Sequence, residues 1–172
     1  MKYIAFLRGI NVSGQKLIKM EVLREIFSAK FKNVKTYIQS GNVVFESNEN
    51  ADSVKEKSQN IIKKKLGHDV GVFIRTISQI EEIIRKNPFK KKKLSEDETA
   101  YVTLLPKNTK IKTPMKSKNG DVEVFASADD AAFCISRKIN GKGSFPNGFI
   151  EKELKIRATT RNWNTIENIS KM

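Results

Sequence analysis

Arg8, Asn11 and Lys16 are the first residues whose types and spacing suggest chemistry, in the run Arg8-Gly9-Ile10-Asn11-Val12-Ser13-Gly14-Gln15-Lys16. Glycines let backbone N–H groups approach an anion, and a helix starting just beyond such a loop adds its positive end. Gly9 and Gly14 are separated by four residues, as in a phosphate-binding P-loop. The pattern then breaks, because Gln15-Lys16-Leu17 replaces the Lys next to Gly and the Ser or Thr that binds magnesium. The run is a candidate anion loop and not a nucleotide-hydrolase signature. Its plainer reading is a loop whose glycines need positive φ and whose Arg8 pairs with a carboxylate.

Two further runs combine polar side chains with loop character. Tyr37-Ile38-Gln39-Ser40-Gly41-Asn42 offers the amides of Gln39 and Asn42 and the hydroxyl of Ser40 at a strand tip. A ligand could bond to them, although a turn selects the same residue types. In Thr159-Thr160-Arg161-Asn162-Trp163-Asn164-Thr165 the Arg161 fork suits phosphate or carboxylate and Trp163 suits stacking. Equally, Thr160 or Asn162 could cap a last helix that Trp163 anchors to the core.

The residues of catalysis are sparse. One Cys and one His are present, so a disulfide framework is excluded and a catalytic triad could draw only on His68. Cys134 lies in the apolar run Ala132-Phe133-Cys134-Ile135, where a thiol packs as a small hydrophobe. His68 follows Gly67 at an expected helix end, and Asp129-Asp130 fall at an expected hairpin tip. No metal signature, catalytic motif or cofactor fingerprint emerges, so neither metal nor cofactor is expected. The basic-Gly-aromatic string of an RNA-recognition module is also missing.

Charge points toward anionic partners. Lys and Arg number 33 against 19 Asp and Glu, a net charge of +14. Ten lysines against three acids fall in residues 86–118, including Lys90-Lys91-Lys92-Lys93. Such a field attracts phosphates. Lysines outnumber arginines 26 to 7, however, and a solvated lysine-rich face explains the excess as well. With no apolar window of membrane-spanning length and a start too short for a signal peptide, the reading is a soluble, cytoplasmic protein without membrane association.

The elements that must position these residues follow from periodicity and turn signals. Strands are expected at 3–7, 34–39, 43–46 and 70–75, the middle two joined as a hairpin by Ser40-Gly41-Asn42. Helices are expected at 19–30 and 52–66, the second capped by Asp52 and stopped by Gly67. The order β-α-β-β-α-β is the ferredoxin-like arrangement. A helix capped by Ser78 and ending before Asn87-Pro88 follows. Strands at 100–105, 122–125 and 132–135, helices at 149–155 and 162–172 and an extended stretch at 157–160 complete the chain. The fold expected is α+β: two tandem ferredoxin-like subdomains with antiparallel sheets. The second is degenerate, because the lysine-rich loop 106–120 replaces its first helix. The boundaries are 1–76, a linking helix and lysine-rich connector at 77–98, and 99–172.

Four strings together resemble one bacterial family, the domain of unknown function 1697. They are Leu7-Arg8-Gly9-Ile10-Asn11-Val12-Ser13-Gly14, Tyr37-Ile38-Gln39-Ser40-Gly41-Asn42-Val43-Val44-Phe45, Asn87-Pro88-Phe89 and Ala158-Thr159-Thr160-Arg161-Asn162-Trp163-Asn164-Thr165. The resemblance runs from about residue 3 to 171 and implies two ferredoxin-like subdomains; it implies no activity. Members often carry Gly-Lys where Gln15-Lys16 stands here, and residues 138–148 are rewritten.

The function expected is a non-enzymatic binding module for a phosphate-bearing ligand, either nucleic acid or a nucleotide. Arg8, Asn11 and Lys16 would form an anion pocket with Gln39, Ser40 and Asn42 beside it, and Arg161, Asn162 and Trp163 would supply a second contact. The alternative is an enzyme acting on a small phosphorylated or carboxylated metabolite between the subdomains, for which no general base presents itself. A scaffold whose edge strands pair with a partner is a third possibility.

Overall fold

Strand β1 (Lys2–Arg8) is buried along five consecutive residues, from Tyr3 to Leu7. A strand of that pattern belongs at the centre of a sheet, where both faces are covered. In the computed structural model, which describes residues 1–11 and 17–172, β1 is hydrogen-bonded on both sides. Its neighbours are β3 (Asn42–Glu46) and β4 (Gly71–Thr76), and β2 (Lys32–Tyr37) lies outside β3. The order β2-β3-β1-β4 is antiparallel throughout. Helices α1 (Met20–Ser28) and α2 (Ala51–Leu66) contribute Leu23, Ile26, Phe27, Val54 and Ile62 to the core. From the sheet come Tyr3, Ala5, Leu7, Val43, Phe45, Val72 and Ile74. Phe27, Phe31 and Phe45 meet with ring centroids 4.3–5.9 Å apart, the tilted geometry that aromatic quadrupoles favour.

The chain divides into two units, Met1–Ile80 with Met172, and Glu81–Lys171. Helix α3 (Ile77–Lys86) crosses the boundary. The second unit contains β5 (Glu98–Leu104), β6 (Met115–Lys116), β7 (Val122–Ala128), β8 (Ala131–Arg137), α4 (Pro146–Leu154), β9 (Thr159–Asn162) and α5 (Trp163–Ser170). Its sheet has the order β6-β7-β8-β5-β9, again antiparallel. The architecture is thus α+β, with two antiparallel sheets and five helices among the described residues. One face of the second sheet packs Val124, Ala132 and Cys134 with Leu105 and Ala158 against Ile150 of α4. None of the described helices is long and apolar enough to cross a membrane.

Several local expectations are corrected. Asn50, not Asp52, caps α2: its Oδ1 accepts from Asp52 N at 3.1 Å and Ser53 N at 2.9 Å. Asp52 sits in the first turn, two residues after the cap, where a carboxylate meets the positive helix end. Thr76, not Ser78, starts α3 through a reciprocal box in which Gln79 N donates to Thr76 Oγ1 and Thr76 N donates to Gln79 Oε1. The hairpin turn occupies residues 38–41, and Asn42 already belongs to β3. Helix α4 starts at Pro146, whose fixed φ suits a first helical position. Asn162 ends β9 and caps α5 without being part of the helix. The loop 106–120 contains the short strand β6, which periodicity cannot reveal in two residues.

Two substitutions separate the capping roles in α2. Asn50→Ala should lower unfolding free energy by about 1 kcal/mol in urea titrations, and Asp52→Ala by roughly half that or less.

Candidate functional site

In the first unit, β1 ends at Arg8 and the backbone turns left-handed at Gly9 (φ 69°) and Asn11 (φ 53°). The Asn11 amide then works in three directions. Its Nδ2 donates to Ile18 O at 3.0 Å and to Gln39 O at 2.8 Å, while its Oδ1 accepts from Ile18 N at 2.7 Å. One side chain therefore ties residue 18 back to residue 11 and staples both to the hairpin turn. The turn is also held from the strand side, because Leu7 N donates to Gly41 O at 2.8 Å.

Gly41 has φ 74°, and a Cβ placed there would stand 2.5 Å from Ile10 Cδ1, so the loop and the turn meet where only glycine fits. Asn42 is buried, with Nδ2 donating to Tyr37 O at 3.1 Å and to Ser40 Oγ at 2.8 Å. Ile38 carries φ 45° with half its surface exposed, a costly conformation for a β-branched residue. Arg8 is half-buried, and its Cβ and Cδ lie over Gly71. Gln39 is exposed. The structure thus brings Asn11, Gln39, Ser40 and Asn42 together around the end of the strand that carries Arg8; Lys16 lies outside the described residues.

Arg161, Asn162 and Trp163 belong to the second unit. Arg161 is 7 % exposed, and its Nη1 donates to Thr159 Oγ1 at 2.9 Å and Thr160 O at 2.8 Å. Burial pulls its pKa down to about 10, so it stays cationic at neutral pH. Asn162 Oδ1 accepts from Asn164 N at 2.9 Å. Trp163 is also 7 % exposed and packs on Phe89, with ring centroids 5.0 Å apart. Phe89 in turn meets Phe125 and Phe133 edge-on. Of the three, the indole and the Asn162 amide have defined structural work within their own unit.

The remaining titratable candidates are placed by their surroundings. Cys134 is buried, and desolvation pushes its thiol up to about 12, which leaves no thiolate for nucleophilic chemistry. It is the inner end of a polar chain: Thr103 Oγ1 lies 3.7 Å from Cys134 Sγ and 2.7 Å from Thr160 Oγ1, and Thr160 donates to Asn147 Oδ1. His68 Nδ1 lies 3.0 Å from Leu66 O near the end of α2. Asp129 and Asp130 form the two-residue β7–β8 turn with φ 51° and 56°, the left-handed pair that such hairpins demand. No group of three or more His, Cys, Asp or Glu that could hold a metal occurs among the described residues.

Sequence reasoning passed over Asp121. It is buried, Ser117 Oγ donates to it at 2.6 Å, and its pKa is lowered chiefly by Ser117, then by Ser144 and Asn119. Its signal in sequence is only a Ser-x-x-x-Asp spacing in a loop.

Residues 1–133 match the model of a family described as "Protein of unknown function (DUF1697)". The chain belongs to the DUF1697 family. The DUF1697 match includes Arg8, Asn11, Lys16, Gln39, Ser40 and Asn42, and it stops before Arg161, Asn162 and Trp163. The solved structure of the conserved bacterial protein SP0830 from Streptococcus pneumoniae is similar, with a TM-score of 0.70 at 19% identity. The similarity covers 99% of this chain and 97% of that one, so the fold is shared along nearly the whole length. No match is found among curated proteins.

Asn11→Ala removes three hydrogen bonds and a residue suited to positive φ. It should cost about 2–4 kcal/mol in urea unfolding. Asp121 and Glu98 both have folded pKa values below their ordinary ones, so their contribution is complete above the unfolded carboxylate range and fades as pH falls through the folded values. Stability should therefore drop below about pH 4. The drop should be shallower in Asp121→Asn, measured as melting temperature against pH.

Proposed function

We propose that this chain is a non-enzymatic binding module for a phosphate-bearing ligand, either a nucleotide or nucleic acid. The contact surface is the loop–turn cluster of the first unit, with Arg8 as the charged group, Gln39 and Ser40 as polar contacts and Lys16 as a further cation. Asn11 and Asn42 hold Gln39 and Ser40 in place. The observation that carries the reading is the Asn11 staple, which joins the Arg8 loop to the Gln39-Ser40 turn through one hydrogen bond to Gln39 O and holds Ile18 through two more. A ligand meeting a pre-formed polar surface avoids much of the ordering cost of binding. Arg161, Asn162 and Trp163, in the second unit, are the proposed second contact.

The scaffold of the proposal is a pair of ferredoxin-like subdomains, 1–76 and 99–172, joined by a linking helix and lysine-rich connector at 77–98. Both sheets support it. β2-β3-β1-β4 in the first unit and, with the two-residue β6 left out, β7-β8-β5-β9 in the second follow one pattern when numbered within each unit. The second is degenerate, since the stretch between β5 and β7 holds β6 where a helix would stand. Cys134 argues against thiol catalysis, its pKa near 12 leaving the nucleophile protonated.

Calorimetric titration with adenosine monophosphate tests the reading. Arg8→Ala and Gln39→Ala should each weaken binding about tenfold, roughly 1.4 kcal/mol, with the melting temperature nearly unchanged for Gln39→Ala. Unaltered affinity in both variants, or no binding by the parent protein, removes the proposal.

A further inference from the structure

The fold gathers two separate lysine stretches onto one strand. Residues 86–93 and 107–118 lie on either side of β5 in the chain, and β5 is separated from β7 by β8 in the sheet. Both stretches nevertheless flank β7. Lys86 Nζ lies 2.5 Å from Asp129 Oδ2 at the turn that follows β7. Phe89 meets Phe125 of β7 with centroids 5.3 Å apart, and Lys92 Nζ stands 4.1 Å from the centre of the same ring.

From the other direction, Leu105 N donates to Asp130 O at 2.8 Å, and Ile111 and Met115 pack with the cluster around Val124. Met115 and Lys116 then pair in register with Val124 and Glu123, and Ser117 N donates to Val122 O. The lysine stretches thus bracket β7 from its turn to its first residue.

Among the described residues β6 pairs only with Glu123 and Val124, so the rest of β7 is a sheet edge, and the charge along it is mostly uncompensated. Lys92 is half-buried on its ring, and the other nine lysines of residues 86–118 are exposed. Lys86 pairs with Asp129, and Lys116 approaches Glu123 at 3.7 Å. Lys90, Lys91, Lys93, Lys110, Lys112 and Lys118 form no ion pair among the described residues.

We propose that this edge is a docking surface for the phosphodiester backbone of a nucleic acid. The inference rests on the phosphate-ligand reading and makes the ligand a polymer. A seven-residue strand spans about 23 Å, more than one nucleotide reaches but a length along which a nucleic-acid strand repeats its charge many times. Lysines meet phosphate as point charges with no base preference, so the surface suits backbone tracking. A membrane would want apolar anchors beside the cations, and within 86–118 Leu94 is the one exposed large apolar side chain among the described residues.

The test compares three triple variants of equal charge change: K90A/K91A/K93A and K110A/K112A/K118A on the edge, and K55A/K64A/K65A on exposed positions of α2. Each is titrated by anisotropy with a labelled oligothymidylate of about 16 nucleotides and with a duplex of similar length, across about 50–200 mM salt. Adenosine monophosphate and phosphatidylserine vesicles are run in parallel.

Each edge variant should bind the oligonucleotides about tenfold more weakly, with the salt slope on the single strand smaller by about 2. The α2 variant should change little, and monophosphate binding should persist in all three. Equal losses in the α2 variant would reduce the effect to net charge and overturn the proposal. Vesicle binding lost in the edge variants while oligonucleotide binding survives would overturn it in favour of a membrane. Failure of the loop–turn reading is seen separately, in monophosphate binding by the Arg8 and Gln39 variants.

Discussion

A single carboxamide organises the loop–turn cluster. Asn11 satisfies both backbone groups of Ile18 and the carbonyl of Gln39, groups that would otherwise need water or a partner of their own. It does so from a left-handed backbone position, which Asn tolerates better than most residues. Ile10, one residue earlier, fills the space beside Gly41 that any Cβ would occupy. The polar staple and the apolar contact therefore act together: loosening one exposes the other. The position of Gln39 and Ser40 relative to Arg8 follows from that coupling.

The second unit solves a different problem, the burial of polar groups within an apolar sheet. Thr103, Cys134, Thr160 and Asn147 form a chain in which each polar atom faces another, so hydroxyls lie in the interior without the cost of an unmet donor. Arg161 is handled alike, its guanidinium bonded to neighbouring threonine oxygens while burial lowers its pKa. Trp163 completes the unit through Phe89, which links it to Phe125 and Phe133. The run 159–165 carries residue types found at recognition sites, and in the structure Asn162 also caps α5 while Trp163 packs on Phe89.

Phe89 and Phe125 also explain how surface charge becomes concentrated. Phe89 is buried beside Phe125, which draws the segment after α3 along β7 and carries Lys90 to Lys93 with it. Ile111 and Met115 hold the connector before β7 by the same apolar means. Lysine placement is thus a by-product of apolar packing.

Local order was legible in the sequence wherever a short-range rule governs. The strand–helix order, the stop at Gly67 and the turn at Asp129-Asp130 each follow from periodicity or φ preference within a few residues. Family membership was legible too, because the strings around Arg8 and Gln39 lie within the DUF1697 match. The caps were misplaced by two residues because Asn50 and Asp52, or Thr76 and Ser78, are equivalent in type and only backbone geometry separates them. The role of Asn11, the burial of Arg161 and the gathering of lysines on β7 needed the tertiary structure. Asn11 meets the Gln39 carbonyl 28 residues away, Arg161 is covered because β9 pairs with β5, and the lysines follow strand order; a linear pattern carries no information about such distant partners.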